Sequence, residues 1–256
     1  MNRLAIVSAM ESELRGLRDS LPQAQLVRRA GRDFWVGELG GHEVVLVRSL
    51  IGKVAAATTT AVLLEHFNVQ ALLFTGVAGG LGQGVRIGDI VVADQLLQHD
   101  MDASPIFPRF EVPLYGTDRF GADAVLSRRL GRACDGVLAA IEAGTCAELS
   151  RAQLLACGVA QAPRVHRGLI LSGDRFVSTT AEARALQADH PEALAVEMEG
   201  AALAQVCHDF GVPCAVMRTI SDRADDTAHV DFNRFIDDVA SRYTHAVVCA
   251  MLGAEG

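Results

Sequence analysis

No stretch of the 256-residue chain holds the roughly 18 consecutive apolar residues that a membrane-spanning helix needs. The start, Met1-Asn2-Arg3-Leu4-Ala5-Ile6-Val7, lacks the long apolar core and cleavage site of a secretory leader. The six cysteines (Cys134, Cys146, Cys157, Cys207, Cys214 and Cys249) form no C-x-x-C pair and share no histidine spacing suited to zinc. Several fall in apolar patterns and read as small hydrophobes. There is no basic stripe either: 23 Lys and Arg stand against 31 Asp and Glu, a net charge of −8. That balance argues against a nucleic-acid partner, whose phosphates must be neutralised. Linker-like Pro/Gly/Ser tracts, low-complexity runs and repeats are missing too. What these absences leave is a soluble, reduced, cytoplasmic protein with one domain over 1–256. Half of its residues are hydrophobic, enough for a large core.

Short apolar runs alternate with helical patterns. Residues 4–9, 34–39, 44–47, 71–74, 90–93, 169–171, 194–196 and 214–220 read as strands. Between them, residues 14–21, 53–67, 122–141, 181–188, 199–210 and 235–252 read as helices, with Gly211 and Pro213 as a stop signal. Residues 99–120 show little periodicity, hold Pro105, Pro108 and Pro113, and read as a long loop. Alternation of this kind predicts an α/β fold with a parallel or mixed sheet, in which ligands bind beyond the carboxyl ends of strands.

Five polar motifs sit just past apolar runs: Met10-Glu11-Ser12-Glu13, Thr75-Gly76-Val77-Ala78-Gly79-Gly80, Ser172-Gly173-Asp174-Arg175-Phe176, Glu197-Met198-Glu199 and Ser221-Asp222. A connected sheet would bring them to one edge. Each has a plainer reading alone. Glu13 suits an exposed first helical turn or a base in a cleft. Asp222 suits a helix cap or a buried general acid. The glycine-rich 75–80 segment fits neither dinucleotide nor phosphate-loop spacing, and is either a tight turn or a place where backbone approaches a bulky ligand. Arg218, inside an apolar run, needs a carboxylate or a polar site. His99 with Asp100, and His229 with Asp231, lack the company of a metal site, so no metal is expected.

These motifs, with Ile51-Gly52-Lys53-Val54-Ala55-Ala56-Ala57 and residues 85–94, occur in an order that resembles the 5′-methylthioadenosine/S-adenosylhomocysteine nucleosidases of the purine nucleoside phosphorylase and uridine phosphorylase superfamily. The resemblance covers nearly the whole chain. It implies a three-layer αβα sandwich with a mixed, partly barrel-like central sheet, no cofactor, a small-molecule adenine nucleoside as substrate, and usually a homodimer. It implies roles as well. Glu13 matches the carboxylate that activates water, with Arg218 near that water. Glu199 matches the acid on the ribose hydroxyls, with Met198 against the sugar. Asp222 matches the acid that protonates adenine N7, placed by Ser221. Phe176 matches the ring stacked on adenine, and the backbone of Val177 the reader of the base edge. Met10, Ile51 and Phe232 match apolar walls, and Val77, Ala78, Gly79 and Glu197 complete the expected lining.

The implied reaction is hydrolysis of an N-glycosidic bond in methylthioadenosine or S-adenosylhomocysteine. An anion at Glu13 would repel the phosphate a phosphorylase needs, though a phosphorylase of the same fold stays an alternative. So do a hydrolase of another 5′-substituted adenine nucleoside and a non-catalytic nucleoside-binding protein. Two departures from the family pattern stand out: Val77 occupies a position often held by Ser, and residues 99–115 differ from the usual tail-lining loop.

Overall fold

A computed structural model of the protein describes residues 3–226, 228 and 235–253. The chain opens with β1 (Arg3–Ser8), α1 (Glu11–Asp19), β2 (Gln25–Arg29), β3 (Arg32–Leu39), β4 (His42–Arg48) and α2 (Lys53–His66). It continues through β5 (Val69–Phe74), β6 (Val77–Gly80), β7 (Ile90–Gln98), β8 (Arg119–Gly121), α3 (Ala124–Glu142) and α4 (Arg151–Ala156). Then come β9 (Val165–Ser172), α5 (Thr180–Asp189), β10 (Ala193–Glu197), α6 (Gly200–Phe210) and β11 (Cys214–Asp222). A π-helical turn (Ile236–Ala240) leads into α7 (Ser241–Gly253).

The described strands form one mixed sheet in the order β2-β3-β4-β1-β5-β11-β6-β10-β9-β7-β8. Because β11 also pairs with β7, strands β11, β6, β10, β9 and β7 close into a barrel. All residues of β11 are buried. Its first part pairs in parallel with β5 (Cys214 with Leu72, Val216 with Phe74). Its later part pairs with β6 (Thr219 with Val77, Asp222 with Gly79). A continuous apolar run is what a strand buried on both faces requires, and 214–220 was readable for that reason.

The two larger of three apolar cores among the described residues flank the sheet. Leu14 and Leu17 of α1, Leu130 and Leu138 of α3, and Val247 and Met251 of α7 pack on one face. Leu63 of α2 and Leu203 of α6 pack on the other, with Phe74 and Val216. The expected αβα layering with a partly barrel-like sheet is therefore present. Helix α6 ends where predicted, with Gly211 left-handed at φ 64°.

Several elements differ from the sequence reading. Helix α1 starts at Glu11, three residues early, so Glu13 lies within its first turn. Strand β7 runs on to Gln98, and β8 takes the end of the expected long loop. The glycine-rich segment contains a strand, β6, not merely a turn. Its glycines are there for crowding: a Cβ on Gly79 would lie 2.9 Å from Ala224 Cβ, and one on Gly80 3.1 Å from Ile220 Cγ2. Strand β2, mostly exposed and polar, and helix α4, only six residues long, carry too little apolar periodicity to be read. Ser221 and Asp222 close β11 instead of following it.

The motifs also meet differently from expectation. Strand β10 runs antiparallel to β6, whereas β6 runs parallel to β11. The carboxyl ends of β10 and β11 thus point opposite ways along the barrel. They meet because β6 is short: Gly79 pairs with Val196 on one side and with Asp222 on the other. Met217, fully buried midway along β11, packs its sulfur 3.9 Å from Cys134 Sγ. Met217→Ala is expected to destabilise the protein by about 2–5 kcal/mol, read as a lower urea midpoint with an unchanged slope.

Candidate active site

The ends of seven segments converge on one cleft of about 600 Å³, measured out to its open mouth. Ala9 and Met10 come from the β1–α1 junction, Glu13 from α1, and Ile51 from the approach to α2. Val77 and Ala78 come from β6, and Arg175, Phe176 and Val177 from the segment after β9. Val196, Glu197, Met198 and Glu199 come from the β10–α6 junction, and Ser221 and Asp222 from β11. The lining, apolar side chains with a few convergent carboxyl groups, suits a small organic ligand.

Glu13 is 2% exposed, so the reading of a solvated first-turn acid is excluded. One carboxylate oxygen reaches back to accept the Met10 N–H at 2.9 Å, and the other accepts the Val77 N–H at 3.0 Å. The side chain of Val77 cannot replace a serine hydroxyl, but its backbone donates where a donor is needed. Burial pushes the Glu13 carboxyl up, against the opposing pull of the Arg218 charge and the backbone N–H groups of Met10, Val77 and Ala9. Gly76 is required beside it. A Cβ there would lie 2.8 Å from Glu13 Oε1 and 3.2 Å from Arg218 Nη1.

Arg218 lies behind the cleft wall, not in it. Its side chain is 1% exposed, and the guanidinium sits 4.0 Å over the Phe74 ring. Nε and Nη2 both donate to Glu197 Oε2, the former at 3.1 Å. Glu197, expected to bind ligand, touches the cleft but is already engaged. Its carboxylate also accepts from the Ser172 hydroxyl, the Glu199 N–H at 3.1 Å and the Gly200 N–H at 2.9 Å. The two residues form an internal anchor that ties β9, β10, β11 and the start of α6 together. Sequence alone could ask only for a carboxylate near Arg218; three-dimensional structure selects Glu197.

Glu199, at the N-cap position of α6, is 5% exposed and accepts the Gly52 N–H at 2.8 Å. Burial first, and then the charge of Glu197, push its carboxyl up to about 8. Asp222 is 1% exposed. One of its oxygens accepts the Ser221 hydroxyl and the other the Ala224 N–H, each at 2.8 Å. Gly79, expected in the lining, acts from behind, because a Cβ on it would come within 3.0 Å of Asp222 Oδ1. Phe176 is 43% exposed at the mouth, Val177 is buried beneath it, and Ile51 is half exposed. Phe232 lies outside the described residues. Ala9, Arg175 and Val196 also line the cleft and were given no role; Ala9 and Val196 flank quoted motifs and Arg175 lies inside one, which was the available signal. Among the described residues no cluster of His, Cys, Asp and Glu could hold a metal ion.

Glu13 and Glu199 share one consequence for stability. An acid whose folded pKa exceeds the ordinary value near 4.5 favours the fold most when protonated. That contribution is complete below the unfolded pKa and is lost as pH rises through the folded value. Thermal midpoints of the protein are therefore expected to fall between pH 5 and pH 8. Glu199→Gln, which cannot ionise, is expected to fall less; a parallel decline in both would show that Glu199 does not carry the effect.

The family model of the phosphorylase superfamily matches residues 3–253. A 5′-methylthioadenosine/S-adenosylhomocysteine nucleosidase from Aeromonas salmonicida is 36% identical over 251 residues, 98% of this chain and 99% of that protein. Its counterpart from Bacillus cytotoxicus is 35% identical over 246 residues, 96% of each chain. Among solved structures, the Neisseria meningitidis nucleosidase in complex with methylthio-immucillin-A matches with a TM-score of 0.83 at 32% identity, covering 99% of this chain and 100% of that one. The Colwellia psychrerythraea nucleosidase in complex with adenine matches equally well, at 32% identity over 98% of this chain and 95% of that one. By sequence and by fold, the chain belongs to the phosphorylase superfamily and, within it, to the 5′-methylthioadenosine/S-adenosylhomocysteine nucleosidases.

Proposed function

We propose that the protein hydrolyses the N-glycosidic bond of 5′-thio-substituted adenine nucleosides, methylthioadenosine and S-adenosylhomocysteine, to adenine and the corresponding thioribose. One observation carries this reading: Glu13, Glu199 and Asp222, far apart in sequence, are buried around a single cleft. The relatives in complex with adenine and a methylthio-nucleoside analogue support it.

In this reading Phe176 and Val177 receive the base, and Asp222 gives a proton to N7. Breaking the bond from C1′ to N9 would otherwise expel an adenine anion, and a placed acid of this kind is typically worth about 10²–10⁴-fold. Ser221 orients Asp222 through its hydroxyl. Met10, Ile51 and Met198 border the sugar, and Glu199 takes the ribose hydroxyls. As C1′ becomes oxocarbenium-like, its positive charge draws the Glu199 carboxyl toward the anion. Glu13 accepts a proton from the water that attacks C1′, held in place by the Met10 and Val77 N–H groups. The balance is one nucleoside and one water giving adenine and a thioribose, with no cofactor.

Asp222→Asn is expected to cut adenine release from methylthioadenosine by at least about 10²-fold while leaving the far-ultraviolet circular dichroism unchanged. Wild-type rates are expected to be equal in phosphate-free and phosphate-containing buffer. Strict dependence on phosphate would reject hydrolysis in favour of phosphorolysis.

The assembly is inferred to be a homodimer. Val54 (78% exposed), Ile106 (82%) and Leu114 (90%) are apolar side chains left open on α2 and the 99–118 loop, and Lys53 joins those two segments through its bond to Asp100. Large apolar side chains this exposed are candidates for an interaction surface where they adjoin one another. Val54→Glu is expected to shift the sedimenting species from twice the chain mass to the chain mass. The free thiols throughout the described residues fit a reducing, cytoplasmic setting.

A further inference from the structure

Helix α2 begins without a cap of its own. Gly52 precedes it with no side chain, and no acid occupies its first turn. The residue that opens it is a cation, Lys53, at the end of a helix where positive charge is disfavoured. Two carboxylates from far along the chain serve its N–H groups instead. Glu199 accepts the Gly52 N–H at 2.8 Å, and Asp174 accepts the Lys53 N–H at 2.7 Å.

Asp100 closes the ring. One of its oxygens accepts the Lys53 ammonium at 2.6 Å, and the other accepts the Asp174 N–H at 2.8 Å. Burial would raise the Asp100 carboxyl, but the Lys53 ammonium and the Asp174 N–H outweigh it and hold it below its ordinary range. The side chain of Lys53 is 14% exposed and that of Asp100 32%, so the contact is only partly shielded. Gly52 itself is left-handed at φ 97°, and a Cβ there would lie 3.1 Å from Asp174 Oδ1. The residue whose N–H serves Glu199 thus packs its Cα face against the carboxylate that serves Lys53.

The ring joins two walls of the site to the loop that follows β7. Gly52 follows Ile51 on the sugar side, Asp174 precedes Arg175, Phe176 and Val177 on the base side, and Asp100 heads the 99–118 loop. An ion pair near the surface contributes little to stability by itself, so its consequence is geometric. We propose that Lys53, Asp100 and Asp174 are positioning residues: they form a clasp that holds the Gly52 N–H on Glu199, and so fix the carboxyl that receives the ribose hydroxyls. The inference rests on the reading of Glu199 as the ribose-binding acid.

Lys53→Met removes the ammonium while keeping most of the stem, and Lys53→Arg keeps the charge. In Lys53→Met, kcat/KM for methylthioadenosine is expected to fall roughly 10- to 100-fold, the scale of a site group displaced by about 1 Å. Lys53→Arg is expected to restore most of it. With an analogue lacking both ribose hydroxyls, the difference between wild type and Lys53→Met is expected to vanish, because the positioned interaction is already gone. Equal losses on both substrates would overturn the clasp. An independent reading comes from the Gly52 amide proton in nuclear magnetic resonance spectra. Its downfield position, from bonding to a carboxylate, is expected to be lost in Lys53→Met and kept in Lys53→Arg. An unmoved Gly52 resonance in Lys53→Met would overturn the clasp whatever the activity. A wild-type protein that releases no adenine, yet shows the expected Gly52 shifts, would sink the hydrolase reading and leave the clasp standing.

Discussion

A guanidinium inside a barrel strand has no water to turn to. Arg218 is 1% exposed on β11, and desolvating such a charge costs several kcal/mol unless a partner meets it with good geometry. Glu197 is that partner, and it can be met only if β10 lies one short strand away from β11 with Val196 opposite Gly79. A slip of one residue along β10 would turn Glu197 to the other face and leave the guanidinium buried and unpaired. The pair therefore disfavours wrong registers at the place where the site is assembled. Its neighbours extend the effect: the Ser172 hydroxyl and the Glu199 and Gly200 N–H groups fill the remaining acceptor positions of Glu197. The start of α6, and with it Glu199, is set by the same carboxylate.

The charge balance of the cleft depends on this arrangement. Glu13, Glu197, Glu199 and Asp222 crowd one small volume, and ionising all of them together would be strongly unfavourable. Arg218 lowers the cost for Glu13 and Glu199, yet most of its charge is taken up by Glu197. Burial therefore leaves Glu13 and Glu199 raised. A cleft of this kind suits a neutral ligand on which positive charge develops during reaction. It is poorly suited to a polyanion, which agrees with water and not phosphate as the attacking group.

Much of the fold was legible from apolar runs, since strands buried on both faces cannot hide their composition. Residues 71–74 and 214–220 are examples. Strand β6 escaped because its glycines serve close packing against Ala224 and Ile220, contacts made by residues more than a hundred positions away. In the site, Glu13, Glu199 and Asp222 each follow an apolar run closely enough to need explaining, but alone each had a plainer reading, and it was the resemblance of the ordered motifs that singled them out. Gly52 was not legible as a hydrogen-bond donor. Its contribution is a backbone N–H, and backbone groups look alike in every sequence. Arg218 and Gly79 were recognised as needed, but their place behind the wall was not, since a sequence does not say on which side of a strand a partner waits.

Burial patterns and residue types are local properties of the chain, and they determined the α/β class and the acids that needed explaining; the layered architecture, the family and the acids' roles came from the resemblance of the ordered motifs to a known family. The closure of β11 onto β7, the antiparallel entry of β10 and the choice of Glu197 as the partner of Arg218 were decided only in three dimensions. So was the capping of α2 by Glu199 and Asp174. Each of these depends on distances between residues tens to more than a hundred positions apart, and such distances are fixed by packing around the whole core rather than by any single stretch.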